Sequence, residues 1–140
     1  ECGATTLIDV ATLTGACVVA LGDRYTGAFS NSDELMSKIV QASILAGENI
    51  WRLPMGDEEY DNLNASTVAD IANCGKKCGA TAAARFLGEF VEKKPWVHLD
   101  IAGTSESDED TEIYSKGGTG AATMLLYEVV KLMEKPYKSY

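Results

Sequence analysis

Ile8-Asp9-Val10-Ala11-Thr12-Leu13-Thr14-Gly15-Ala16 is an apolar run, rich in β-branched residues, that stops abruptly at a hydroxyl-flanked Thr-Leu-Thr-Gly. The pattern predicts a buried strand ending in a tight loop with exposed backbone. Two uses fit such a loop. One is simply a turn that leads the chain away from the core. The other is a ligand edge, because open α/β sheets receive ligands beyond the carboxyl ends of their strands and a glycine there lets backbone approach closely.

Working outward, strand and helix patterns alternate, which points to an α/β layered domain. Thr6 to Ala11 is apolar on nearly both faces, as a central strand should be. Cys17 to Leu21 is a second short apolar run, ended by Gly22-Asp23, and Thr26 to Phe29 has the composition of a further short strand. Asn31 or Ser32 can cap the next helix, whose first turn carries Asp33 and Glu34 against the positive end of its dipole. Leu35, Met36, Ile39, Val40 and Ala42 form its predicted buried stripe, and Gly47 closes it. Ile50 to Leu53 is a short extended piece before Pro54. Asp57 to Leu63 has the pattern of a short acidic helix with a solvated face. Gly79 opens an alanine-rich helix running to Glu92, with Arg85, Glu89 and Glu92 on its wet side. Trp96 to Ala102 alternates cleanly. Val97, Leu99 and Ile101 share one face; Trp96, His98 and Asp100 share the other, which can be buried only if its polar members are hydrogen-bonded. Ser105 to Glu112 reads as an acidic surface loop. Gly117-Gly118-Thr119-Gly120 leads into a last helix ending near Glu134, which is apolar nearly all round apart from Thr123, Tyr127, Glu128 and Lys131. Its glycine run fits either a plain helix start or an anion cradle.

The 140 residues make one domain, and 46% hydrophobic content suits a packed core. A net charge of −9 argues against nucleic acid and anionic membrane as partners. No apolar run approaches the ~18 residues of a membrane span. The first residues, Glu1-Cys2-Gly3-Ala4, carry neither an initiating Met nor a basic start and hydrophobic block, so they read as the interior of a longer chain rather than a signal peptide. Four cysteines include the pair Cys74 and Cys78, but structural zinc takes four ligands and no second pair completes a set. Reduced thiols are expected. His98, the single histidine, reads as a structural group beside Trp96 and Asp100. Neither a His-Glu-x-x-His pattern nor a Gly-x-Ser-x-Gly nucleophile turn is present, and no pair of spaced acids stands out at a strand end. The residues alone therefore offer no metal ligands and no catalytic set.

The stretch from Ile8 to Ala16 resembles the strand-and-loop signature of the leucine aminopeptidase (cytosol aminopeptidase) family of metallo-exopeptidases. Trp51-Arg52-Leu53-Pro54, Ala69-Asp70-Ile71-Ala72-Asn73, Thr81-Ala82-Ala83-Ala84-Arg85-Phe86-Leu87 and Trp96-Val97-His98-Leu99-Asp100-Ile101-Ala102-Gly103-Thr104 follow in the family's order at nearly its spacing. The resemblance covers almost the whole chain. It implies a three-layer α/β domain with a central mixed, mostly parallel sheet flanked by helices. It also implies that residues 1–140 are the C-terminal portion of the catalytic domain. The family's metal ligands and its catalytic Lys and Arg precede the matching region, part of them in an Asn-Thr-Asp-Ala-Glu-Gly-Arg segment. On this reading the chain starts after them, and two divalent ions, zinc or manganese, are bound by upstream residues.

What the resemblance leaves to this chain is the substrate side. Leu13 would contribute backbone groups that hold the substrate. Thr12 and Gly15 would line the pocket for the N-terminal side chain, joined by Ala102 and Ser105. Cys74, where the family usually has Ile, would line the pocket after the scissile bond. Ala121-Ala122 replaces a frequent Arg-Pro, and Ser105 replaces a large apolar residue of some members, which would widen the first pocket. The implied activity is release of N-terminal amino acids from peptides with a free N-terminus, in the cytoplasm, by a homo-hexamer. The alternative is a family-like module kept for assembly without turnover.

Overall fold

The computed structural model describes residues 3–56, 63–64, 66–73 and 79–134. Four strands, β1 (Leu7–Ala11), β2 (Thr26–Ser30), β3 (Ile50–Arg52) and β4 (Trp96–Asp100), form one sheet in the order β1-β4-β2-β3. β1 pairs parallel with β4 and β2 parallel with β3, whereas β2 and β4 run antiparallel. The sheet is thus mixed and mostly parallel, as the resemblance implies. Among the described residues, four helices accompany it: α1 (Gly15–Leu21), α2 (Asp33–Ala46), α3 (Gly79–Gly88) and α4 (Thr123–Met133). A two-residue ribbon, β5 (Glu106–Ser107) with β6 (Gly117–Gly118), follows β4.

The alternation within β4 sorts the layers. Val97 and Leu99, with Ala28 of β2, face α2 and α4, where Leu35, Met36, Ile39, Ala42, Leu125 and Val129 close the main core. Each of the buried Val, Leu, Ile and Met side chains among them contributes roughly 1.5–3 kcal/mol through burial. On the opposite face, Phe29 packs with Cys17 of α1 and with Ala80 and Ala84 of α3. Small residues on α3 let that helix sit close. The result is three layers with the sheet in the middle.

Several expectations need correction. Cys17 to Leu21 is helical. Thr14 is its N-cap, in extended conformation, with the side chain accepting from the Cys17 amide, so the short apolar run, left unassigned by its composition, belongs to a helix. Gly15 accordingly lies in the first helical turn, not in a free loop. Ser32 is the cap of α2, accepting from the Leu35 amide, while Asn31 instead bridges to Lys94 and Trp96. Val40, placed in the buried stripe, is 42% exposed. α3 stops at Gly88, short of Glu92. Past Gly88 the chain tightens, the Glu89 and Phe90 amides donating to the Phe86 and Leu87 carbonyls three residues back, and the left-handed Glu92 and Lys93 then turn it so that Trp96 lies against Gly88. Arg85 pairs with Glu89 at 3.2 Å with both side chains mostly covered, so that side of α3 is only partly wet. The acidic segment Asp57 to Asn62 lies outside the described residues.

The N-terminus of α4 resolves the two readings of its glycine run. Ala122, the N-cap, has no side-chain cap of its own. The Glu48 carboxylate, from the end of α2, accepts from the Ala122 and Leu125 amides instead. A negative side chain of the same chain therefore occupies the anion-favouring helix start, which is a plain helix start and not an open cradle.

Candidate functional site

The parallel ladder between β1 and β4 ends at Ala11 opposite Asp100, with the Ile101 amide donating to the Ala11 carbonyl at 2.9 Å. Beyond it the two chains leave the sheet side by side. Asp100 is fully buried, and its carboxylate joins them. Its Oδ1 accepts from the Leu13 amide at 3.1 Å and the Ala102 amide at 3.2 Å, with a longer contact from the Thr14 amide at 3.5 Å. Its Oδ2 accepts from the Thr14 hydroxyl at 2.8 Å, and that same hydroxyl caps α1 at the Cys17 amide. One buried carboxylate thus serves three amides and a hydroxyl. This satisfaction is what lets an acidic residue sit inside a sheet layer.

The turn after β4 is tied down on its other side as well. The Thr26 and Thr104 hydroxyls lie 2.8 Å apart, and the Thr119 hydroxyl donates to the Thr104 carbonyl at 2.6 Å. The Thr119 amide donates to the Ser105 carbonyl at 3.0 Å. Gly103 sits where a Cβ would fall 2.1 Å from the Gly22 carbonyl oxygen at the end of α1. Only glycine allows that approach of two backbones.

The sequence-derived candidates fall into two linked groups. Ala102 and Ser105 line a cleft of about 610 Å³ together with Val18, Arg24, Thr104 and Tyr114. Its acidic members Asp23, Glu106, Asp108 and Glu109 outnumber Arg24, so it receives a cationic ligand group better than an anionic one. Thr12, Leu13 and Gly15 stand outside this cleft, and of the three Leu13 is tied to Ala102 at its edge through Asp100. Thr12 and Gly15 are exposed and Leu13 is half-buried. The Leu13 amide is committed to Asp100, so the backbone group Leu13 can offer a ligand is its carbonyl. Cys74 lies outside the described residues. Asp100 and Glu48 are the positions that sequence reasoning missed as organisers. Asp100 was recognised only as a strand acid needing a partner, and its partner lies 87 positions away.

A second polar cluster occupies the same face of β4. The His98 Nδ1 lies 2.6 Å from Asp9 Oδ1, and the Trp96 indole N–H donates to Asp9 Oδ2. His98 stacks with Phe29 and Trp96. Its Nε2 is buried without a hydrogen-bond partner. The ring is held through one nitrogen, by Asp9 on the neighbouring strand rather than by Asp100. Cys17, fully buried, holds its thiol 3.8 Å from the Asp100 carbonyl oxygen. Burial, and then the nearby Asp100 charge, push that thiol above its ordinary value, which keeps it protonated and unreactive at neutral pH.

Among the described residues, no group of three or more His, Cys, Asp or Glu side chains is placed to hold a metal ion. No described helix is long and apolar enough to cross a membrane. The described residues do not by themselves fit a metal centre.

The chain is similar to several known proteins. A protein of Alkaliphilus metalliredigens described as a "probable cytosol aminopeptidase" is 51% identical over 136 residues, covering 96% of this chain and 27% of that relative. One of the same description from a Picosynechococcus species is 50% identical over 119 residues, covering 84% of this chain and 24% of the relative. Among solved structures, a mutant tomato leucine aminopeptidase superposes with a TM-score of 0.84 at 43% identity, over 91% of this chain and 25% of that one. A bottromycin maturation enzyme superposes with a TM-score of 0.88 at 40% identity, over 95% of this chain and 30% of that one. The chain spans about a quarter of the length of the curated relatives it matches. The cytosol aminopeptidase family's catalytic domain matches residues 1–127, and the chain belongs to that family.

Proposed function

We propose that this chain forms the substrate-pocket side of a leucine aminopeptidase-type metallo-exopeptidase that releases N-terminal amino acids from peptides. The observation that carries the reading is the convergence of the β1 and β4 ends on Asp100, beside a cleft lined by Ala102 and Ser105, in a chain of this family. Activation of water is assigned to two divalent ions, zinc or manganese, whose ligands are taken to lie outside these residues.

This chain's own residues bind and orient. The Leu13 carbonyl accepts an N–H from the substrate. Thr12, Gly15, Ala102 and Ser105 are small enough to leave room for a side chain such as leucine, and the carboxylates around the cleft favour a free ammonium over a carboxylate. Cys74 is retained as a candidate wall of the pocket after the scissile bond. Cytoplasmic location and a homo-hexamer are part of the same proposal. Exposed Met124, Tyr127 and Val130 on α4 support burial of that helix against another subunit.

Hydrolysis of a leucine anilide with added Mn²⁺ or Zn²⁺ tests the reading, comparing this chain with the polypeptide carrying the whole family domain. Activity in the longer form alone is expected. Activity in the 140-residue chain would place a ligand set within it. A well-folded but silent longer form would instead favour the non-catalytic assembly module.

A further inference from the structure

We propose that Asp100 is the positioning residue that sets the affinity for peptide N-termini, by holding the Thr12–Leu13 backbone and the Ala102–Ser105 turn as one rigid unit. The inference deepens the aminopeptidase reading and rests on it. The β1–β4 ladder stops at Ala11 and Asp100, so the two loops beyond it have no further ladder bonds. Asp100 Oδ1 is the atom shared by the Leu13 and Ala102 amides, at 3.1 and 3.2 Å.

The same bonds aim the neighbouring carbonyls. In a trans peptide the C=O points opposite to the N–H of the same plane. The Leu13 and Thr14 amides both point at Asp100, so the Thr12 and Leu13 carbonyls are directed away from it. The carboxylate is buried and its Oδ2 is fixed by the Thr14 hydroxyl, itself held at the start of α1. The two carbonyls are therefore preorganised as a pair of acceptors for substrate N–H groups. With the acceptor at Asp100 removed, both peptide planes can rotate, and binding suffers more than the chemical step.

The test uses the metal-loaded polypeptide carrying the whole family domain, with leucine p-nitroanilide as substrate. Asp100→Ala is expected to raise KM by about 30-fold with kcat within about threefold, the pattern of lost uniform binding. Asp100→Asn keeps an acceptor at Oδ1 and should restore KM to within about threefold of the unsubstituted enzyme. Should Asp100→Ala fail to fold, Thr14→Val removes only the Oδ2 partner and should raise KM by about fivefold. Amide hydrogen exchange at Leu13 and Ala102 should quicken in Asp100→Ala and return to normal in Asp100→Asn. A folded Asp100→Ala or Thr14→Val enzyme with unchanged KM, or one that loses kcat alone, overturns the positioning role. An unsubstituted polypeptide without hydrolysis overturns the aminopeptidase reading, and this inference with it.

Discussion

His98 and Asp100 stand two residues apart on the same face of β4, and both are completely buried. Their surroundings differ in kind. His98 bonds to Asp9, its register partner on the neighbouring strand, and leaves Nε2 without a partner. Asp9 is 42% exposed, so water can take over its side of the contact. Asp100 has no such relief. It serves backbone groups on two different loops and a hydroxyl that also caps a helix. One buried polar group closes a seam between strands. The other organises everything that leaves the sheet at the candidate site. Buried polarity alone does not mark a functional position. The number of separate backbone segments that depend on it is the better guide.

Substitution should separate the two ends. Asp100→Ala orphans three amides and a hydroxyl and should cost at least about 3 kcal/mol of stability in urea unfolding. A loss below about 1 kcal/mol would mean that water replaces the carboxylate and that the hub is soft. Next in size, Gly103→Ala drives a Cβ to 2.1 Å from the Gly22 carbonyl. Neither backbone can yield cheaply, and about 2–3 kcal/mol should be lost. Its counterpart at the other end of β4 is Gly88, where a Cβ would sit 3.4 Å from the Trp96 ring. Gly88→Ala should be neutral or stabilise by up to about 1 kcal/mol, through helix propensity. Equal effects at the two glycines would erase the distinction. Smaller again, His98→Phe keeps the stack with Phe29 and removes the orphaned nitrogen along with the bond to a half-exposed carboxylate. Its net change should lie within about 1 kcal/mol. A loss comparable to that of Asp100→Ala would make His98 an organiser too.

Much of this architecture was legible in the chain itself. The alternation of Trp96 to Ala102 separated the two faces of β4 correctly, because period two is a local property. Leu35, Met36, Ile39 and Ala42 fell inside as their helical spacing required, while Val40, at the margin of the stripe, did not. Local signals failed where a distant partner decides. The short apolar run Cys17 to Leu21 has no period that decides between strand and helix, and its helix is capped by Thr14, anchored by an aspartate 86 positions away. The glycine run before α4 left a plain helix start and an anion cradle both open, because the group that decides, Glu48 in the turn after α2, lies 74 residues earlier. The Thr12–Gly15 loop and its meeting with Ala102 and Ser105 were read from the chain, but the Asp100 carboxylate that ties Leu13 to Ala102 was not, since its partner amide on Leu13 lies 87 positions away.

The smallest effect concerns Cys17, which has no counterpart at the His98 end. Its thiol lies beside the Asp100 backbone, and burial followed by the Asp100 charge raises it above the ordinary value of 9.0. The folded protein therefore holds the thiol proton more tightly than the unfolded chain does. Between the unfolded value near 9.0 and the higher folded value the native state binds more protons, so stability falls as pH rises through that window and is fully present below it. Unfolding free energy should thus decline above about pH 9, and Cys17→Ala should flatten that part of the profile while losing some packing at every pH. Native-state alkylation of Cys17 at neutral pH should be slow for the same reason. A profile equally steep in Cys17→Ala would assign the alkaline decline to other groups. Fast alkylation of the folded protein would show that the Asp100 end opens readily, the reverse of the rigid hub that its hydrogen bonds describe.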